Sequence, residues 1–504
     1  MIQAFSLYRG ISCFTELERY MAVTYGGNNV NVYHIGASVT PWSVAGDFRN
    51  VVLWSASDAA PTPAVWNAGT QYALTLYKNG AATSLVVTIA SGEHTARNDS
   101  DVVSVAPGDL ITWRITQTGG APASAKLFMV CEFHSESDVT SGYACCAGWT
   151  SAGGYYSPIT GYADTTYAYA ANYIATAGAI TRIDVALNAQ PGAQTHTVAV
   201  YKNGVIQDGS GGTVDTRVSL TGTATTGHST FVCPVAVGDR VALGSSGTNS
   251  NYLSAAMAFD ADEAGYSLMA GGSVGFVNLP ATAPGYAFVT YMGASWISPE
   301  TTYRTPCGVT PFSITRAGVT IETAPGAGKS RTYRMRVNEA TPSGSTNIVL
   351  TDAQAAGYDP TGLVNVEDGD WFCWQDTPVN TPPYFFQDSV WYAAQYIPVP
   401  SSWVDIADVV EQEIAGESFP GGAARVLGEL WTEDFGSPLP VVQARLYNVT
   451  DDVSVGESAE IQSDEPEACD FAVTLSSGTK RYRLQVTSDT PGVDIFFSGR
   501  GVGP

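Results

Sequence analysis

The stretch Tyr77-Lys78-Asn79-Gly80 restricts this chain more than any other, because it returns letter for letter as Tyr201-Lys202-Asn203-Gly204. An Asn-Gly pair after alternating apolar residues is the strongest short-range hairpin signal, since a type I′ turn needs two residues that tolerate positive φ. Leu74 and Leu76 point one way ahead of the first turn while Ala73 and Thr75 point the other; Val198 and Val200 repeat the alternation. A diverged copy, Arg336-Val337-Asn338-Glu339, stands in the third quarter.

The flanks repeat as well. Ile180-Thr181-Arg182 and Ile314-Thr315-Arg316 precede the second and third hairpins, with Phe48-Arg49-Asn50 as their counterpart, so the arginines step by 133 and 134 residues. Pro191-Gly192-Ala193 and Pro325-Gly326-Ala327 follow at nearly equal distances. A Gly-Asp pair opens a later strand at Gly108-Asp109, Gly238-Asp239 and Gly369-Asp370, with steps of 130 and 131. Such a period exceeds the roughly 20–50 residues of solenoid and propeller repeats, so whole domains stand in tandem. Strands about 8–12 residues apart with Gly, Pro or Asn between them imply antiparallel sandwiches rather than β-α units.

The expected fold is therefore all-β, an array of about four antiparallel, jelly-roll-like sandwiches. An N-terminal arm covers 1–19, sandwich repeats cover 20–137, 138–264 and 265–398, and a diverged sandwich covers 399–504. In the arm, Met1 to Tyr8 reads as a lone strand and Thr15 to Arg19 as a short helical turn. The arm docks either on the first repeat as an extra strand or on another chain. In the last unit Leu446-Tyr447-Asn448 echoes the first hairpin, and Gly478-Thr479-Lys480 stands where Gly-Asp did earlier.

Composition narrows the function. Lys and Arg number 23 against 47 Asp and Glu, a net charge of −24, which opposes binding to nucleic acid or to an anionic membrane. No apolar run reaches transmembrane length, and residues 1–20 lack a basic segment followed by an apolar core, so the standard secretory route is not expected. The eight cysteines, Cys13, Cys131, Cys145, Cys146, Cys233, Cys307, Cys373 and Cys469, avoid repeat-equivalent positions and form no C-x-x-C pair. They read as reduced thiols, with Cys131, Cys233 and Cys373 as small hydrophobes in strands and the vicinal Cys145-Cys146 as a poor metal signal.

Candidates for chemistry are few. His34, His94, His134, His196 and His228 share no repeat position and read as surface or packed residues. Asn98-Asp99-Ser100-Asp101, Asp260-Ala261-Asp262-Glu263 and Glu367-Asp368-Gly369-Asp370 hold the clustered carboxylates. Their strand-edge positions suit turns; a loop-bound Ca²⁺ and paired-carboxylate catalysis are the alternatives. Gly209-Ser210-Gly211-Gly212 follows a hairpin and opens no helix, so it is a loop. The expectation is a non-enzyme without catalytic, cofactor-binding or metal-binding residues. Among eleven Trp and 26 Tyr, Trp113, Trp371 and Trp374 belong to strand cores. Tyr155, Tyr156, Tyr162, Tyr167, Tyr169 and Tyr173 are the set expected at an exposed interface.

With these residues in place the chain resembles tailed-bacteriophage virion proteins, of the decoration, head-fibre or tail-appendage type. The Y-K-N-G hairpins, the Gly-Asp strand openings and the apolar arm carry the likeness. Ala444 to Thr450 and Gly478 to Gln485 are similar to a sandwich module of such proteins. The resemblance implies a non-enzymatic structural protein of the virion, made in the host cytoplasm and joined to other capsid or tail proteins. A receptor-recognising, carbohydrate-binding appendage is the alternative, and its mark would be exposed aromatics at equivalent loops. The strands at 153–173 and Val390 to Ile397 are apolar in both registers, which adds the expectation of a homo-oligomer, with a trimer favoured.

Overall fold

The computed structural model describes residues 2–11, 18–21, 39–57, 71–119, 125–137, 139–152, 155–157, 167–263, 265–277, 282–287, 300, 305–307, 311–321, 323–367, 369–380, 382, 388–398, 404–405, 412–414, 422–432, 439, 441–448, 453–475, 477, 480–488 and 495–503. The chain is all-β, with multiple antiparallel sheets. It divides into two compact units, Met1–Pro398 and Val399–Pro504.

The first unit uses one strand order three times. The first set is Ile2–Ile11, Glu18–Met21, Gly46–Ser57, Gln71–Lys78, Ala81–Ile89, Thr95–Asn98, Leu110–Thr118 and Ala125–Ser135. The second is Thr140–Ala152, Tyr155–Ser157, Gly178–Leu187, Gly192–Lys202, Val218–Gly222, Thr226–Val235, Arg240–Ser246 and Thr248–Ala261. The third is Ser267–Val277, Gly285–Ala287, Phe312–Ile321, Gly326–Val337, Asn347–Asp352, Ala356–Val366, Trp371–Val379 and Asp388–Pro398. Numbered one to eight within each set, the strands pair in the order 1-8-3-6 in one sheet and 2-7-4-5 in the other. In the second unit, strands Val404–Asp405, Lys480–Ser488, Val442–Asn448 and Val453–Glu457 pair in that order. Its other sheet joins Gly422–Thr432 to Glu467–Ala468, Phe471–Leu475 and Ile495–Gly503.

The N-terminal segment enters this order. Ile2–Ile11 pairs along its whole length with Ala125–Ser135, so it is the extra strand on the first repeat, at the place of Thr140–Ala152 in the second. The helical turn expected over Thr15 to Arg19 is not formed at Glu18 and Arg19. These belong to the strand Glu18–Met21, which pairs with Leu110–Thr118; Thr15 to Leu17 lie outside the described residues. Five residues make little more than one turn, and the ladder to strand seven satisfies the backbone groups of Glu18 and Arg19 instead.

All three hairpins turn on the same two residues. Asn79, Asn203 and Asn338 have φ of 52, 51 and 48°, and Lys78 pairs with Ala81 as Lys202 pairs with Val205. In the third copy Glu339 stands in place of glycine at φ 65°, strained for a residue with a Cβ, and Val337 still bridges Ala340. The Gly-Asp pairs explain why these turns tolerate little drift. Asn79 Nδ2 donates to Asp109 Oδ1 at 2.7 Å, and Asn79 Oδ1 accepts from the Leu110 N–H at 2.8 Å. Asn203 holds Asp239 and the Arg240 N–H at 2.7 and 2.9 Å, and Asn338 holds Asp370 and the Trp371 N–H at 2.5 and 2.9 Å. Each aspartate's second oxygen accepts a backbone N–H three residues upstream, from Ala106, Ala236 or Glu367. The hairpin and the distant Gly-Asp turn are therefore one clamp, built three times. Burial pushes the Asp109 carboxyl up, but the bonds from Ala106, Asn79 and Lys78 outweigh it and hold the group below its ordinary range.

The arginine landmarks are out of step by one residue. Phe48 pairs with Phe133 and Val103, Ile180 with Phe259 and Cys233, and Ile314 with Tyr396 and Val364. Asn50, not Arg49, therefore shares the place of Arg182 and Arg316. A β-bulge interrupts strand three here in every repeat, and Asn50 and Arg316 take positive φ of 52 and 51°. Gly46 and Gly178 confirm the register. A Cβ on either would lie 2.2 Å from a backbone oxygen of strand eight, that of His134 or Asp260.

Each sandwich encloses its own core, from Trp42, Phe48, Leu74, Trp113 and Phe133 in the first to Ile314, Tyr333, Met335 and Trp374 in the third. Truncating a fully buried leucine such as Leu74 to alanine costs about 2–5 kcal/mol. The three repeats of the first unit also pack on one another in sequence. The short strand Thr40–Pro41 lies on strands one, three and eight of the second repeat, with the Trp42 ring against Gly142. Asn172–Tyr173, its equivalent, lies on the same three strands of the third repeat, with Tyr173 over Gly318 and 5.8 Å from Tyr358. The third repeat returns to the first. Trp371, paired with Pro306, meets Trp54 of strand three edge-on at 5.5 Å. Asp388–Pro398 of the third repeat also lies against Ile2–Ile11 of the first, as Ala125–Ser135 of the first lies against Thr140–Ala152 of the second, so the third repeat touches the first as well as the second.

Candidate functional site

The histidines are dispersed. His34 lies outside the described residues, and His228 is exposed on an edge strand. His94 is half-buried beside the turn at Ser91 to Glu93. His134 Nε2 sits 2.9 Å from Glu132 Oε2, a buried carboxylate that also accepts from Asn50 Nδ2 at 2.6 Å. His196 is buried, its Nε2 finds no partner among the described residues, and burial pushes its pKa down.

The clustered carboxylates are turn and clamp elements. Asn98 Oδ1 accepts from the Ser100 and Asp101 N–H groups while its Nδ2 donates to Asp101, an Asx turn. Asp370 belongs to the third clamp, and Asp368 lies outside the described residues. Glu263 pairs with Arg316 at 3.3 Å, and Asp262 is exposed. Among the described residues no group of three or more His, Cys, Asp or Glu could hold a metal ion. Cys131, Cys233, Cys307, Cys373 and Cys469 are buried; Cys13 and the side chains of Cys145 and Cys146 lie outside the described set.

The aromatics are packed more deeply than their composition suggests. Trp42, Trp113 and Trp374 are fully buried, and Trp371 is half-buried against Trp54. Of the tyrosines expected to be exposed, Tyr173 is instead buried between repeats, because the strand it occupies is the one that seats on the next sandwich. Tyr156 meets Tyr201 at 4.9 Å and Tyr167 at 5.6 Å, forming a half-buried edge-on cluster over Gly244. Tyr167 opens a single helical turn, Tyr167–Ala170, in a stretch expected to be strand. Tyr162 and the side chains of Tyr155 and Tyr169 lie outside the described set.

Three further features escaped the sequence. The first is a polar residue at one end of each core, at the same register position of strand four: Tyr72, His196 and Arg331. In the third repeat this becomes a buried ion pair, with Arg331 Nη1 2.5 Å from Asp376 Oδ2 and neither side chain more than 1% exposed. Burial pushes the Asp376 pKa up to about 7, against the opposing pull of Arg331. The second is the Asn–Asp clamp, whose halves the sequence shows separately. The third is an exposed aliphatic residue at one position of all three repeats, Val102, Val232 and Leu363, at 47, 63 and 50% exposure. Each precedes the residue that pairs with Phe48, Ile180 or Ile314, which establishes the equivalence.

No protein-family model matches the chain, and no curated protein matches it either.

Proposed function

We propose that this chain is a non-enzymatic structural protein of a tailed-bacteriophage particle, acting through surface contacts with other capsid or tail proteins. The observation that carries the reading is the threefold use of one framework. The side chains that recur at equivalent positions, the Asn–Asp clamps above all, hold turns and strands rather than assemble a reaction centre. The strand order 1-8-3-6 and 2-7-4-5 reads as jelly-roll-like, with two Greek keys folded into facing sheets. The buried free thiols of Cys131, Cys233 and Cys469 suit synthesis in the reducing cytoplasm of a host cell.

The carbohydrate-binding alternative would place exposed aromatics at equivalent loops. No described aromatic residue is classed as exposed, so the protein-contact reading is the better supported. Quantitative mass spectrometry of gradient-purified particles of the virus that carries the gene tests the proposal. A fixed copy number co-sedimenting with the major capsid or tail protein is expected. Recovery only from the soluble fraction of the infected cell would refute it.

A further inference from the structure

We infer that Asn79-Gly80 and Asn203-Gly204 are self-modification sites: the closed clamp withholds a reaction that, once run, keeps that clamp from closing again. Asparagine before glycine is open to attack on its own side chain, because no side chain shields the glycine nitrogen. That nitrogen bonds to the carboxamide carbon, and the side-chain nitrogen leaves as ammonia, carrying off the glycine N–H proton. Water then opens the five-membered imide at either carbonyl, leaving aspartate or isoaspartate. The reaction needs no reagent beyond water, and all four residues are exposed to it.

The folded turn opposes the first step twice. Each carboxamide is held at both ends, Asn79 by Asp109 and the Leu110 N–H, Asn203 by Asp239 and the Arg240 N–H. The left-handed backbone, with φ of 52 and 51°, also sets the glycine nitrogen across the Cα–C bond from the side chain it must attack. Conversion therefore runs through local opening of the hairpin. The product cannot close again. Aspartate at either position has no N–H to donate, and it sets a carboxylate against Asp109 or Asp239 where a 2.7 Å hydrogen bond stood. Isoaspartate adds a carbon to the backbone of a two-residue turn. The third repeat keeps the same clamp on Asn338, but Glu339 replaces the glycine. Its side chain shields the backbone nitrogen, so this copy carries a strained φ of 65° and escapes the reaction. The first two turns thus record their own openings, the third does not. This inference goes beyond the particle reading and does not depend on it.

Peptide mapping by mass spectrometry of the full chain, aged for weeks at mildly alkaline pH with and without urea, tests the proposal. In urea Asn79 and Asn203 should convert and Asn338 should not. Without urea both should convert at least about tenfold more slowly, since two clamp bonds must break first. Asp239→Ala should speed conversion at Asn203 alone, with Asn79 of the same molecules as the folded reference. Glu339→Gly should make Asn338 convert in urea as fast as the other two. Asn203→Asp, the product at that turn, should lower the melting temperature more than Asn203→Gly near neutral pH. That gap should narrow as acid protonates the facing carboxylates. Equal rates with and without urea, equal conversion at Asn338, acceleration of both turns alike in Asp239→Ala, or equal melting temperatures for Asn203→Asp and Asn203→Gly would each overturn the proposal.

Discussion

Replacing Arg331 by methionine tests how the third sandwich closes its core. Arg331 and Asp376 are both buried and lie 2.5 Å apart, on neighbouring strands Gly326–Val337 and Trp371–Val379. Removing one member of a buried pair leaves an uncompensated charge and costs about 3–5 kcal/mol. The pH dependence supplies the sharper test. The folded pKa of Asp376, about 7, lies above its ordinary value of 3.8. Its contribution to stability is therefore fully present below the ordinary value and is lost as pH rises through about 7. Without Arg331 the carboxyl holds its proton more tightly still. Arg331→Met should thus cost the full amount near pH 8 and distinctly less near pH 5, where the neutral acid needs no partner. Arg331→Leu with Asp376→Leu should recover most of the loss, because two packed hydrophobes replace the pair. Urea unfolding followed by the fluorescence of the buried tryptophans, Trp374 among them, reads the difference at each pH. A cost below about 1 kcal/mol, or an equal cost at both pH values, would refute the account of a buried, coupled pair.

Other expectations follow from the clamps, the histidine and the thiols. Asn203→Gly keeps the positive φ and loses only the bonds to Asp239 and the Arg240 N–H. It should destabilise by about 1–2 kcal/mol, whereas Asn203→Ala adds backbone strain of about 1 kcal/mol; equal melting temperatures for the two would contradict the turn assignment. Burial depresses the His196 pKa, so its contribution to stability is present above the ordinary value of 6.5 and is lost as pH falls below it. His196→Leu should flatten the chain's stability between pH 7.5 and 5.5, and an unchanged acid slope would count against this. Cys131, Cys233, Cys307, Cys373 and Cys469 should resist thiol reagents in the native protein and react in denaturant; fast native labelling at these positions would show that their burial is wrong.

Local features were the most legible in the sequence. The Asn-Gly hairpins depend on two residues and their immediate neighbours, so the letters alone place them. The alternation of Leu74 and Leu76 with Ala73 and Thr75 gives the buried face of strand four for the same reason. Long-range pairing was less legible. Ile2–Ile11 finds its partner more than a hundred residues later, and nothing within the arm specifies that register. The β-bulge in strand three displaced the apparent match of Arg49 with Arg182, because an inserted residue shifts the frame without changing the motif. Tyr173 was misplaced because its burial comes from a neighbouring repeat, a contact absent from its own sandwich. The Arg331–Asp376 pair was hidden for a different reason. Alternation with Tyr333 and Met335 places Arg331 inward, and the phase of Phe372 and Trp374 does the same for Asp376, but charged residues are ordinarily read as solvated.

The central claim, that the chain works as part of an assembled particle, meets its most direct test in imaging. Gold-labelled antibody raised against the full chain is applied to purified particles of the tailed bacteriophage proposed to contain it and viewed by negative-stain electron microscopy. Label at a fixed, symmetric set of positions on the capsid or tail is the result predicted here. Particles that remain unlabelled, while the same antibody detects the protein free in the infected cell, would contradict it.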